Sequence, residues 1–139
     1  MVRIRRVNGA KKRELLTEMH RATFGPGNTL PDFAIGWWWI AYEGDTPVAF
    51  SGIARARTNL GYGYLVRTGV YPRARGMGIQ RRFIKLRERL ARREGMVGLV
   101  TDVTDNVYST NNLTAMGFKL FTPRNPWAFK DSLYLKKDF

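Results

Sequence analysis

The stretch Val70-Tyr71-Pro72-Arg73-Ala74-Arg75-Gly76-Met77-Gly78-Ile79 constrains this chain more than any other. An apolar, strand-like run ends here and a long basic amphipathic helix begins. A strand, a basic turn with glycines and a helix N-terminus together make a cradle for an anion. The first helical N–H groups have no intrahelical acceptor, and the helix dipole places positive potential at that end. Gly76 and Gly78 let a bulky phosphate approach the main chain with no Cβ in the way.

The rest of the chain bounds what that cradle serves. At 139 residues, 44% hydrophobic and 13% aromatic, the sequence suits one domain, residues 1–139, with its own core. It has no cysteine, which excludes disulfides, thiolate metal sites and cysteine nucleophiles, and points to a reducing compartment. The single histidine, His20, argues against a histidine-rich metal site or a serine–histidine triad. The longest apolar run, Ala34 to Ala41, falls short of the roughly 20 residues that cross a bilayer. Asn8 to Glu14 is polar where a signal peptide is apolar. The expectation is a soluble, cytoplasmic protein without a membrane partner. Lys and Arg number 24 against 11 Asp and Glu, a net charge of +13. Such an excess attracts polyanions, phosphorylated cofactors or acidic protein, or serves solubility, and charge alone does not choose among them.

Periodicity supplies the element order. Val2 to Val7 alternates apolar and basic residues as a strand does. Asn8 caps a predicted helix from Ala10 to Phe24 with Leu15, Leu16, Met19 and Ala22 inward, and Gly25-Pro26-Gly27-Asn28 ends it. A short helical piece follows Pro31. Trp37 to Glu43 and Val48 to Arg57 form a hairpin about Gly44–Pro47, and Tyr62 to Val70 is a third long strand. Gly78 to Glu94 is helical, with Ile79, Phe83, Leu86 and Leu90 on one face and Gly95 as its stop. Met96 to Thr104 suits a buried parallel strand. Asn112 to Met116 is a short helix before Gly117, and Phe118–Phe121 and Ser132–Leu135 are two last strands around the loop Thr122 to Trp127.

The order β-α-α-β-β-β-α-β-α-β-β, together with the turn, resembles the GNAT superfamily of acyl-CoA-dependent N-acyltransferases. That family's signature is a strand ending in Val-x-Pro, then Arg or Gln, then x-x-Gly-x-Gly/Ala at the helix start. Val70, Pro72, Arg75 and Gly78 match, and Gly76 fills the usual glycine after the arginine. The last position departs, being Gln80. The resemblance extends over the whole chain, with Gly117-Phe118 downstream. It implies an α/β fold: a mixed, mostly antiparallel central sheet of about seven strands flanked by helices. It also implies that acetyl-CoA (coenzyme A) is the cofactor, its pyrophosphate held by the N–H groups of Arg75, Gly76, Met77, Gly78, Ile79, Gln80 and Arg81. Gln80 either crowds that approach or adds a donor. Thr68, Gly69 and Val70 would pair with the pantetheine amides where their strand splays from the next. A bulge near Gly69 would aim one N–H at the thioester oxygen. Asn106 matches the family's asparagine that contacts pantetheine.

The catalytic side chains are less legible. Many family members carry a glutamate base on the strand ending in Val-x-Pro, but Tyr62 to Val70 holds no acid. Asp102 on the next strand reads either as that base or as a strand-end carboxylate paired with one of the many arginines. The family's tyrosine acid, four residues before the Gly-Phe pair, is replaced by Leu113. Tyr108 is the nearest tyrosine, and reads either as the acid or as a packed aromatic with a wet hydroxyl.

Trp37, Trp38 and Trp39 read as core or as an aromatic wall for the acceptor, and Trp127, at a loop tip, has less reason to be buried. In the family the acceptor groove lies between the loop after the first helix, here Phe24 to Pro31, and the last hairpin loop. Arg81, Arg82, Lys85, Arg87, Arg89, Arg92 and Arg93 form a basic face that is solvated, holds the cofactor's 3′-phosphate or, with Arg55, Arg57, Arg67 and Arg124, tracks a nucleic-acid backbone.

The leading reading is an N-acetyltransferase acting on a primary amine by direct attack in a ternary complex. The amine belongs to a small molecule, a protein or a nucleobase. Modification of nucleic acid, or a non-catalytic module binding CoA or nucleic acid, are the alternatives. Monomer and homodimer both stay open.

Overall fold

The computed structural model describes residues 1–139. The elements run β1 (Val2–Val7), α1 (Arg13–Phe24), β2 (Trp37–Glu43), β3 (Thr46–Arg55), β4 (Tyr62–Val70), a 3-10 turn (Pro72–Ala74), α2 (Ile79–Arg93), β5 (Gly98–Val103), α3 (Val107–Ala115), β6 (Lys119–Leu120) and β7 (Leu133–Asp138). The seven strands form one sheet in the order β1-β2-β3-β4-β5-β7-β6. Pairing is antiparallel for β1–β2, β2–β3, β5–β7 and β6–β7, and parallel where β4 meets β5. The expected α/β class with a mixed, mostly antiparallel sheet is what forms.

The contacts divide into two compact units: residues 1–54 with 66–83, and residues 55–65 with 84–139. In the first, α1 presents Leu16 and Met19 to Phe33, Trp38, Ile40 and Phe50. Burying each such side chain contributes about 1.5–3 kcal/mol. Trp38 is fully inside for a specific reason. Its register partner is Gly52, and the indole lies where a Cβ on that residue would sit. Its Nε1–H donates to the Ile35 carbonyl at 2.9 Å, so the buried ring leaves no polar atom unpaired. Trp39 is buried too, so the aromatic triplet is mostly core. Gly44 and Asp45 make the two-residue turn of the β2–β3 hairpin.

In the second unit, β5 is a run of buried residues paired with β7 from Gly98↔Asp138 to Val103↔Leu133. β7 therefore lies between β5 and β6. It runs three residues past the predicted Leu135, because Lys136, Lys137 and Asp138 continue the ladder along β5.

Several local expectations shift. α1 starts at Arg13, since Asn8 Oδ1 accepts from the Lys11 amide and caps the turn before it. Its inward face is Leu16, Met19 and His20, whereas Ala22 is exposed. The residues after Pro31 make turns in place of the expected helical piece, with Asp32 Oδ1 accepting from the Ala34 amide at 3.0 Å. α3 starts at Val107, five residues earlier than expected, with Asn106 as its N-cap. On α2, Arg87 is only 2% exposed and so leaves the solvated basic face. Burial lowers its pKa to about 9.

Candidate functional site

The glycine turn follows directly on β4. Tyr71 is extended, Pro72–Ala74 makes one 3-10 turn, and Arg75 is extended again. Gly76 and Gly78 then take φ +78° and +75°, a left-handed conformation that favours glycine. A Cβ on either would meet nothing within 4 Å, so their need is conformational and the space beside them is free. The first α-helical bond of the next element is Arg82 N–H to the Gly78 carbonyl at 3.1 Å. The amides that precede it at the head of α2 have no helical acceptor. Buried Ala74 and Ile79 anchor the two ends of the turn. Arg75 Nε donates back to the Val70 carbonyl at 3.2 Å, and Arg82 Nη1 donates to the Val2 carbonyl at 3.1 Å. The turn is thus braced by arginine side chains while its glycines stay uncovered. That arrangement fits a diphosphate: a helix N-terminus, positive potential and no Cβ beside the main chain. Met77 is exposed, and Gln80 is half-buried with its own partner.

The end of β4 belongs to the same unit. Ser51 Oγ donates to the Arg67 carbonyl at 2.8 Å and lies 2.7 Å from Thr68 Oγ1. Gly69 is required by packing: a Cβ there would overlap Thr23 Oγ1 on α1 and Phe50 Cε1 on β3. The predicted cofactor residues Thr68, Gly69, Val70, Arg75, Gly76, Met77, Gly78, Ile79, Gln80 and Arg81 are therefore gathered in one compact unit.

Asp102, Asn106 and Tyr108 fall in the other unit. There the parallel ladder of β4 with β5 takes in Tyr62↔Gly98, Gly63↔Leu99 and Tyr64↔Val100, and ends. At the next position the Leu65 carbonyl accepts from the Thr101 hydroxyl at 3.2 Å. Just beyond, Asp102 Oδ1 accepts from the Tyr64 hydroxyl at 2.5 Å and from Trp127 Nε1 at 2.9 Å. The partners of the Asp102 carboxylate here are thus two aromatic side chains. Both hydrogen bonds land on Oδ1, and Oδ2 is left to solvent or a ligand.

Trp127 is held edge-on to Tyr134 at 4.6 Å and to Tyr64 at 6.4 Å between ring centroids. The Ala128 amide donates to the Tyr134 hydroxyl at 2.9 Å, which pins the β6–β7 loop over these rings. A pocket of about 310 Å³ opens beside Trp127, lined also by Thr58, Asn59, Pro123, Arg124 and Asn125.

Asn106 Oδ1 accepts from the Ser109 amide at 2.9 Å and so caps α3. Tyr108 sits in the first turn of that helix, 57% exposed. No group of three side chains is arranged to hold a metal ion, and no helix is long and apolar enough to cross a membrane. Sequence reasoning does not reach Tyr64 or its bond to Asp102, since no spacing rule links residues on two strands separated by a helix. Trp127 is signalled only by its place in a Pro/Asn-rich loop.

A model described as the acetyltransferase (GNAT) family matches residues 12–118. Similar solved structures include a Bacillus subtilis acetyltransferase in complex with CoA, with a TM-score of 0.80, 12% identity and coverage of 100% of this chain and 99% of that one. The IAA acetyltransferase of Bacillus cereus gives 0.77 at 15% identity, covering both chains in full. The PaiA N-acetyltransferase of Thermoplasma acidophilum, in complex with coenzyme A, gives 0.76 at 13%, covering 100% and 99%. At these identities the likeness is one of fold. No curated protein sequence matches the chain.

Proposed function

The chain belongs to the GNAT acetyltransferase family, and from that premise we propose that it is an acetyl-CoA-dependent N-acetyltransferase acting on a primary amine by direct attack in a ternary complex. The observation that carries this reading is the turn from Arg75 to Arg81, with two left-handed glycines, open space at each and the N-terminus of α2 directly after them. These groups hold the diphosphate, as helix N-termini hold anions generally. The main chain of Thr68, Gly69 and Val70 binds and orients the pantetheine arm. Bound acetyl-CoA supplies an activated acetyl thioester.

An amine near neutral pH is mostly protonated, so the reaction needs a proton acceptor. Asp102 takes that role through Oδ2, directly or through a water. Tyr64 and Trp127 hold its other oxygen and fix the rotamer. Tyr108 is the candidate proton donor, because its exposed hydroxyl makes no hydrogen bond within the protein and is free to engage a ligand. Asn106 positions Tyr108 by capping the helix on which it stands.

Incubation with acetyl-CoA and a library of primary amines, followed by thiol release, tests the proposal. The expected result is release that depends on the added amine. Stabilisation of the protein by acetyl-CoA with no amine-dependent release would leave a CoA-binding module instead.

A further inference from the structure

Three buried side-chain polar atoms in the chain make no hydrogen bond, and all three belong to one neighbouring pair: Nδ1 and Nε2 of His20, and Nε of Arg67. Buried polar groups are nearly always bonded, and a departure calls for a cause. Arg67 lies on β4, one residue before Thr68. Its Nη2 reaches only the Thr29 carbonyl at 3.4 Å, a long contact to the loop after α1. Its guanidinium stands 5.7 Å from the Phe24 ring centroid, and no carboxylate pairs with it. His20, wholly buried, stacks on the same Phe24 ring at 4.8 Å. Burial, and then the charge of Arg67, lowers its pKa to about 4, so it does not share the positive charge. The patch therefore holds one cation with no counterion, half withdrawn from water, on the strand assigned above to the pantetheine arm. A cation left in that state is costly unless an anion completes it.

We propose that Arg67 selects the acceptor by binding an oxyanion, a carboxylate or a phosphate monoester, carried on the same small molecule as the amine. The planar fork of a guanidinium matches either group through two parallel bonds. The long bond to Thr29 is the one that such a ligand replaces. The inference rests on the acetyltransferase reading and names the class of amine that reading left open.

The test gives wild type and Arg67→Gln acetyl-CoA with paired acceptors. Each common amino acid is set against its methyl ester, and phosphoethanolamine against ethanolamine, with kcat/KM read from thiol release. Wild type prefers the anionic member of at least one pair by about tenfold or more, and Arg67→Gln closes that gap to about twofold. Arg67→Lys, which keeps the charge without the fork, falls between them. The amino-acid pairs and the phosphate pair separate the two oxyanions. Wild type treating every pair alike, accepting no member of any pair, or an unchanged preference in Arg67→Gln overturns the assignment. The rise in Tm with acetyl-CoA is read alongside for both proteins. Its absence in wild type removes the acetyltransferase reading itself, whereas its presence without an anion preference removes only the role of Arg67.

Discussion

The Tyr64 hydroxyl donates to Asp102 Oδ1 at 2.5 Å at the point where the β4–β5 ladder stops, and Trp127 Nε1 donates to the same oxygen at 2.9 Å. One carboxylate oxygen is thus fixed by two aromatic donors while the other stays available. If Asp102 is the proton acceptor, Asp102→Asn lowers kcat by about 10² or more and leaves acetyl-CoA affinity unchanged. Steady-state kinetics and calorimetry read the two quantities separately. A kcat within about twofold of wild type would remove Asp102 from the mechanism.

Trp127 ties a loop to that carboxylate. Trp127→Phe keeps most of the edge-on ring contact with Tyr134 but loses the bond to Asp102. The expected loss is about 1–2 kcal/mol of stability by urea denaturation, with a fall in kcat smaller than that of Asp102→Asn. Unchanged stability and unchanged kcat together would show that the bond orients nothing.

Gly69 and Gly76 are glycines for different reasons, and alanine separates them. Gly69→Ala overlaps Thr23 and Phe50 and is expected to cost about 1–3 kcal/mol through forced repacking of α1 on β4. Gly76→Ala meets no atom and bears only its left-handed φ of +78°, a cost of about 1–2 kcal/mol with no effect on the core. Chemical denaturation gives both energies, and near-ultraviolet circular dichroism reports the core aromatics. A neutral Gly69→Ala would contradict the packing described for that strand.

His20 makes stability depend on acid. Its pKa falls from 6.5 in the unfolded chain to about 4 in the fold, first through burial and then through Arg67. Between those values the unfolded chain binds a proton that the folded one does not. Stability from this group is therefore complete above about pH 6.5 and declines as pH falls toward 4, by roughly 3 kcal/mol in all. His20→Phe, which suits the neighbouring Phe24 and Phe50 rings, removes that slope. Urea denaturation at pH 7 and pH 4.5 is expected to show a larger acid loss in wild type than in the variant. Equal losses would mean that His20 does not titrate on unfolding.

Much of this architecture was readable before any coordinates, because it rests on local signals. The period of α2 puts Ile79, Phe83 and Leu90 inside, whereas Arg87, assigned by its charge to the basic face, is buried one turn beyond Phe83. Val107, Tyr108, Ser109 and Thr110 are weak helix formers, so propensity hides the first turns of α3, which Asn106 caps. His20 shares the face of Leu16 and Met19 by spacing, yet a lone histidine does not announce burial. What stayed hidden was long-range. Tyr64, Asp102 and Trp127 meet because β4 and β5 pair for three residues and a loop folds back, and no periodicity encodes that meeting. The cofactor turn was the opposite case, since its strand, glycines and helix are contiguous in sequence.

Calorimetric titration of acetyl-CoA into wild type and Gly78→Asp is the most direct trial of the account. The substitution points a carboxylate toward the open side of the turn, at a position where no atom lies within 4 Å of an added Cβ. Wild type should bind with a single site per chain, and Gly78→Asp should lose at least about tenfold in affinity through like-charge repulsion while its circular dichroism stays unchanged. Equal affinity in the two proteins, or no heat of binding in wild type, would contradict the claim that the main chain from Arg75 to Arg81 holds the diphosphate.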